Sequence, residues 1–428
     1  MSSDRHFAFL PVGSHGDVHP AVGLGVRMRQ RGHQVTVITN GHFESLVRDA
    51  GLDFLANSTA EQYLAMADNP ELWDRRRAFF AVARSLMDLA RPTYSHLVRL
   101  HAKEGDRLTL VGTSLALAGR LAQEKLGVRL ATIHLSPALF MSVYDPPRLP
   151  PAPPLRWAPQ WLRRAVFAVG SRVVDNAIGP SLNKFRAELA MPPVTGIFNH
   201  WWHSPQLVLA MFPDWYCRVQ PDWPDQAHNV GFPLFDERGI TPLPEKLQAF
   251  LAEGPPPVAF TPGSAMFHAK DFFAASAEAC HLAKLRGVLL TRKDNQVPAT
   301  LPPGVIHIDY APFSELLPRC AAVVHHGGIG SAAQALAAGT PQLIQPFAHD
   351  QPDNAARLIR LGVARSISPS RYKPRNVARA LQILTTSERV RARAAALAAR
   401  MAGEDAIGRA CDLIDALAAT PQPTGAVA

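Results

Sequence analysis

The chain has 428 residues, 47% of them hydrophobic and 18% charged, with a formal net charge of +9. That length is more than one ordinary core holds and predicts two domains of about 200 residues each. The composition excludes a disordered or fibrous protein, no apolar run approaches the about 18 residues of a membrane span, and no basic stripe interleaved with aromatics suggests a nucleic-acid partner.

The N-terminus runs Asp4-Arg5-His6 into an apolar strand without the small-residue cleavage site of a secretory signal. The four cysteines are scattered, with no CxxC pair and no metal spacing, and read as reduced thiols of a cytosolic protein. Phe7-Ala8-Phe9-Leu10 reads as a strand, Gly13 to Gly16 as a glycine turn, and 20–31 as a helix opened by Pro20 and closed by Gly32. Strands at 34–39, 108–111, 129–134 and 207–211, with a helix at 115–125, predict a parallel, doubly wound α/β sheet.

Residues 145–161 carry seven prolines, six of them within the ten residues 145–154, together with Trp157 and Trp161. This stretch reads as a stiff surface connection or as a lid whose tryptophans meet an apolar substrate or a membrane surface. A second α/β array follows: strand 258–261, helix 274–286, strands 288–291, 305–308 and 323–324, and helix 331–338. The predicted division is a first domain at 1–233, a linker at 234–255, a second domain with terminal helices at 256–419, and a disordered tail at 420–428. Arg371, Lys373, Arg375, Arg379, Arg389, Arg391 and Arg393 form a late basic cluster, read as a solvated helix face, with weak attraction to anionic lipid as the alternative.

The chemistry concentrates in two turns. His326-Gly327-Gly328-Ile329-Gly330-Ser331 links a buried strand to a helix, where unpaired N–H groups and the positive end of the helix dipole favour phosphate. Downstream, His349-Asp350-Gln351 places an acid–amide pair after a strand, suited to sugar hydroxyls. Upstream, Ser264 lies in another small turn after a strand. In the first half, Asp17 reads from its position as the cap of the 20–31 helix.

The run from His326 through Pro341, Pro346 and Asp350-Gln351 resembles the nucleotide-sugar signature of family 1 glycosyltransferases. Gly13-Ser14-His15-Gly16-Asp17-Val18-His19-Pro20 resembles the acceptor-side motif of bacterial and sterol glucosyltransferase members. Along its length the chain is similar to the rhamnosyltransferases of rhamnolipid synthesis. The resemblance implies the GT-B fold, two Rossmann-like domains facing across a cleft.

It further implies an inverting transfer of a glucose- or rhamnose-type sugar from a UDP or dTDP donor to an apolar, hydroxyl-bearing acceptor, with neither metal nor organic cofactor. By the same resemblance His326, Gly328, Gly330, Ser331 and Ser264 would meet the diphosphate. Gln334 would meet the ribose, Tyr310 the base, and Asp350 and Gln351 the donor sugar. Asp17 takes the place of the plant members' catalytic histidine, flanked by His15 and His19. The plant members' supporting aspartate would fall near Gly112-Thr113-Ser114, where there is no acid. The alternatives are an epimerase on the same fold or a non-catalytic nucleotide-sugar-binding partner. Peripheral membrane contact stays open, as does the oligomeric state.

Overall fold

The computed structural model describes residues 4–74, 76–150, 154–237, 241–264 and 266–421. The first half runs β1 His6–Leu10, α1 His15–Gln30, β2 Gln34–Asn40, α2 Glu44–Asp49, β3 Asp53–Ser58, α3 Ala60–Ala67, α4 Ala78–Glu104, β4 Leu108–Thr113, α5 Leu117–Leu126, β5 Arg129–His134, α6 Gln160–Glu188, β6 Leu207–Ala210 and β7 Ala227–Asn229. The second half runs α7 Glu245–Ala252, β8 Val258–Thr261, α8 Lys270–Ala283, β9 Gly287–Leu290, β10 Val305–Ile308, α9 Phe313–Leu316, β11 Ala322–His325, α10 Ile329–Ala337, β12 Gln342–Ile344, α11 Gln351–Leu361, β13 Ala364–Ser366, α12 Pro374–Thr386, α13 Glu388–Ala402 and α14 Ala406–Ala419.

Two parallel sheets result, ordered β3-β2-β1-β4-β5-β6-β7 and β10-β9-β8-β11-β12-β13. Both are covered on each face by helices, which is why their strands read as unbroken apolar runs. The period-2 alternation of a strand divides β1 between two cores. Phe7 and Phe9 pack with Val22 and Met28 of α1, while Ala8 and Leu10 join Leu86 and Leu97 of α4 and Leu121 of α5. Phe9 is wholly buried, so Phe9→Ala would cost about 3–5 kcal/mol. In the second sheet Val258 and Phe260 meet Phe273 of α8 and Leu381 of α12, and Ala259 and Val288 meet Leu316 and Ala335.

Three elements depart from the sequence reading. Helix α1 starts five residues before Pro20, because Ser14 caps it: the Ser14 Oγ accepts from the Gly16 N–H and Asp17 completes a capping box. The linker stretch contains α7, whose Leu247 is buried against the second sheet. Helix α14, read with the second domain, returns to the first. Its Cys411 and Ile414 close the core over α1, and Arg31 binds Asp412 and Asp415 at 2.6 Å each. Its apolar stripe covers a sheet face that α1 alone leaves open.

Of the expected disordered tail, residues 422–428 lie outside the described residues, but Thr420 is tied down: its carbonyl accepts from Arg129 at 2.8 Å. Of the proline stretch, 151–153 lie outside them too. All seven residues of the late basic cluster are exposed, and Cys217, Cys280, Cys320 and Cys411 are free thiols. Among the described residues no helix is long and apolar enough to cross a membrane.

Candidate active site

In each sheet the strand order reverses at one point, between β1 and β4 and between β8 and β11. The crevice outside the carboxyl ends of the strands at such a reversal is where doubly wound sheets bind ligands. The first holds the turn from Pro11 to Ser14 and the start of α1. The second holds the Pro262-Gly263-Ser264 and His326-Gly327-Gly328 turns side by side, since Thr261 pairs with His325.

At the first reversal Gly13 has φ +141°, and a Cβ there would overlap the Asp17 carboxylate. The Ser14 N–H donates to Asp17 Oδ2 at 2.8 Å; among the described residues Oδ1 has no hydrogen-bond partner. Asp17 is thus not the N-cap of a helix at 20–31 but the third residue of α1, completing the Ser14 capping box through one oxygen. Burial pushes its pKa up to about 7, and the charge of Asp350 adds to the rise, against the Ser14 N–H, which lowers it. Asp350 is thus close enough across the interdomain cleft to be felt electrostatically.

The flanking histidines are placed differently. His15 sits among aromatic rings, 4.9 Å from Phe43 and 5.7 Å from His42, and burial first, then neighbouring cations, push its pKa down to about 3. It is neutral. His19 Nε2 lies 3.2 Å from Glu237 of the linker. Where the supporting aspartate is lacking, Thr113 Oγ1 instead accepts from the Val12 N–H at 3.1 Å and braces the turn.

At the second reversal the glycines do two jobs. Gly263 (φ +95°) and Gly328 flank the His326 ring: a Cβ on Gly263 would lie 2.6 Å from its Cε1, and one on Gly328 would overlap it. Gly327 (φ +96°) would place a Cβ 2.9 Å from Ile344 Cγ2 and 3.1 Å from the Gln351 carbonyl. These three glycines make room for packing. Gly330, by contrast, is exposed, with nothing within 4 Å of its added Cβ. Helix α10 starts there with no side-chain cap, so its first N–H groups are open to a ligand. Ser264 is exposed and Ser331 half-buried beside them.

Burial pushes the His326 pKa down to about 3, and among the described residues its Nδ1 has no partner. It offers an uncharged imidazole. His325, by contrast, is structural, with its Nε2 bonded to Gln342 Oε1 at 2.9 Å and its Nδ1 accepting from the Gly327 N–H at 3.1 Å. Gln334 is 8% exposed inside α10. The Gln351 side-chain oxygen accepts from the Phe347 and Ala348 N–H groups, at 2.8 and 3.2 Å, and so shapes its own loop. Tyr310 donates to the Asp236 carbonyl at 2.9 Å, and the Arg292 guanidinium lies 4.7 Å over its ring. One stacking face is therefore already covered.

Several residues that build the site escaped the sequence reading. Asn354 is wholly buried. Its amide donates to Asp350 Oδ2 (2.8 Å) and to the Gly327 carbonyl (3.0 Å), and its oxygen accepts from Ser136 (3.3 Å) and Tyr216 (3.2 Å) of the first half. It ties the glycine turn, the acid and the opposite domain together. Its spacing of four from Asp350 on a helix was the available signal. His349, at φ +58°, accepts or donates through Nε2 to the Leu72 carbonyl; a carbonyl only accepts, so His349 donates across the cleft at 2.9 Å. Arg357 joins Asp353 to Asp145 of the first half, at 2.7 and 2.6 Å. Among the described residues, one group could gather a metal ion, Asp294, His307 and Asp309, and it lies at edge strand β10, with both carboxylates exposed.

Comparison with known proteins agrees with this architecture. Residues 7–100 match the glycosyltransferase family 28 N-terminal domain, and 286–417 the erythromycin biosynthesis protein CIII-like C-terminal domain. The O-mycaminosyltylonolide 6-deoxyallosyltransferase of Streptomyces fradiae is 30% identical over 423 residues, covering 96% of this chain and 97% of that protein. In structure, the glycosyltransferase of kitacinnamycin aligns with a TM-score of 0.72 at 21% identity, over 97% of this chain and 99% of its own. The glycosyltransferase VinC in complex with dTDP aligns with a TM-score of 0.69 at 20% identity, over 96% and 99%. The chain belongs to the family 1 glycosyltransferases of GT-B fold.

Proposed function

We propose that the chain is an inverting transferase that moves a glucose- or rhamnose-type sugar from a dTDP- or UDP-activated donor to a hydroxyl of an apolar, lipid-like or aromatic acceptor. One observation carries the reading: Asp17, with one oxygen unpartnered among the described residues and a pKa of about 7, feels the charge of Asp350 from the other half of the chain. A base is most effective when its pKa lies near the working pH. Asp17 Oδ1 takes the acceptor proton while the acceptor oxygen attacks the anomeric carbon. The bond from that carbon to the β-phosphate oxygen breaks on the opposite face, which inverts the centre, and charge collects on the departing nucleoside diphosphate.

The N–H groups at the start of α10, with the hydroxyls of Ser264 and Ser331, are already oriented for that charge, and preorganised donors of this kind lower the barrier. Neutral His326 adds a hydrogen bond. Asp350 and Gln351 take the sugar hydroxyls, Gln334 the ribose, and the base lies against the Tyr310–Arg292 pair. No metal ion or organic cofactor enters this scheme. The dTDP in VinC supports a thymidine donor.

The test is transfer from dTDP- and UDP-sugars with the product's anomeric configuration read by NMR. Inversion is expected, with donor binding retained but transfer lost in Asp17→Asn. Retention of configuration, or an Asp17→Asn rate equal to wild type, contradicts the mechanism.

A further inference from the structure

Between Asp145 and Asp175 the chain has no acidic residue and five arginines: Arg148, Arg156, Arg163, Arg164 and Arg172. Here the fold leaves large apolar side chains in water. Trp157 is 87% exposed, Trp161 69% and Val169 58%, with Leu162 and Val173 also exposed. Trp161, Ala165 and Val169 recur every four residues along α6, so they line one outward stripe, and all three are exposed. A water-facing helix normally shows the reverse pattern.

The loop that presents Trp157 is held in place. Val143, Leu155 and Phe167 form a small core of their own beneath it, and Arg163 donates to the carbonyls of Val143 (2.7 Å) and Leu155 (3.1 Å). The tryptophans take no part in that core. The Arg156 guanidinium lies 5.1 Å over the Trp157 ring, pairing a cation with an indole at the outermost point. An indole this exposed walls no closed substrate chamber.

The position of the patch has a direction. Helix α6 crosses from β5 to the parallel strand β6, so its first turn lies at the carboxyl end of the sheet. That is the end that carries Asp17. The same connection is tied to the donor side by the Arg148 N–H, which donates to Asp353 at 3.0 Å.

We infer that Trp157, Trp161 and the outer stripe of α6 dock the first domain on an anionic lipid bilayer. The indoles would enter the headgroup boundary while Arg156, Arg164 and Arg172 meet lipid phosphates. Binding at an interface grows with buried apolar area and with attraction to anionic headgroups, and the segment supplies both with no opposing acid. Docking in this orientation sets the mouth of the acceptor side against the membrane. The inference goes beyond the proposed transfer and is read without it, since partitioning is measured with neither donor nor acceptor present.

The test is cosedimentation of the full chain with vesicles of phosphatidylcholine plus phosphatidylglycerol, and with vesicles of phosphatidylcholine alone, in low and high salt. The wild type should favour the anionic vesicles and lose that preference in high salt. Trp157→Ser/Trp161→Ser should weaken partitioning by roughly tenfold or more. Arg164→Glu/Arg172→Glu should abolish the anionic preference, and both variants should keep the wild-type circular dichroism. Equal partitioning of the wild type and the tryptophan variant overturns the inference. So does a wild-type dimer in sedimentation equilibrium that the tryptophan variant dissolves, since the patch would then belong to a second copy of the chain.

Discussion

The two strand-order reversals share one topology and carry opposite chemistry. At the first, a glycine that only a bare backbone satisfies makes room for a carboxylate, and Asp17 is held near neutrality by burial and by Asp350. At the second, glycines make room for an uncharged imidazole beside a helix start that has no cap. In the proposed mechanism one side takes a proton and the other receives negative charge. The order of the strands fixes where a site forms; the side chains packed against the turns decide what the site does.

Removing the first side should have the largest effect. Asp17→Asn should lower the transfer rate by about 10²- to 10⁴-fold, the usual worth of a positioned base, with donor affinity unchanged in a thermal-shift titration. The same variant separates catalysis from capping. An Asn oxygen still accepts from Ser14, and the raised pKa of Asp17 means that its ionised form destabilises the fold as pH climbs toward about 7. Asp17→Asn should therefore raise Tm relative to wild type more at alkaline than at acid pH. A variant that unfolds at every pH would make Asp17 a cap and nothing else.

Damage to the second side should be smaller and should fall on the donor. Gly328→Ala must displace the His326 ring, an overpacking that costs about 1–3 kcal/mol, and should raise the donor KM. Gly330→Ala meets open space and should leave the unfolding free energy within about 0.5 kcal/mol of wild type. Equal losses of stability in both would contradict the division of labour among these glycines. Asn354→Ala breaks the link between the two sides. Its partners are left unpaired in a dry site, at about 1–3 kcal/mol for each, so it should lower Tm and donor affinity together.

The last effect is shared along the chain. His15, His203 and His326 are held neutral by burial, with pKa values pushed down to about 3, and His325 to about 4. His203 belongs to a buried chain in which Trp202 donates to His203 (3.1 Å), His203 to His134 (2.8 Å) and His134 to Ser114 (2.6 Å). The unfolded chain takes up protons near its ordinary pKa of about 6.5, which the folded chain refuses. This histidine contribution should thus be complete above that value and be lost as pH drops toward 4, as followed by denaturant midpoints of Asp17→Asn, in which the opposing carboxyl is absent.

The repeating β-strand-to-turn pattern, both glycine turns and most strand positions were legible in the sequence, because buried parallel strands are short apolar runs bounded by glycine and proline. The start of α1 was misread since Pro20 looks like a first helical residue, whereas the Ser14 capping box settles the boundary. Long-range pairing was not legible: Asn354 meets Ser136 and Tyr216 only once the domains are together, and α14 shows an apolar stripe without saying which sheet it covers. The uncharged state of His326 was hidden too, because desolvation depends on Gly263 and Gly328 closing around the ring.

The most direct test of the central claim is the pH dependence of kcat/KM for sugar transfer. The account predicts a tenfold rise per pH unit on the acid side, levelling off at about 7, with that limb absent from the residual activity of Asp17→Asn. A profile that is flat across this range, or an acid limb that persists in Asp17→Asn, would contradict it.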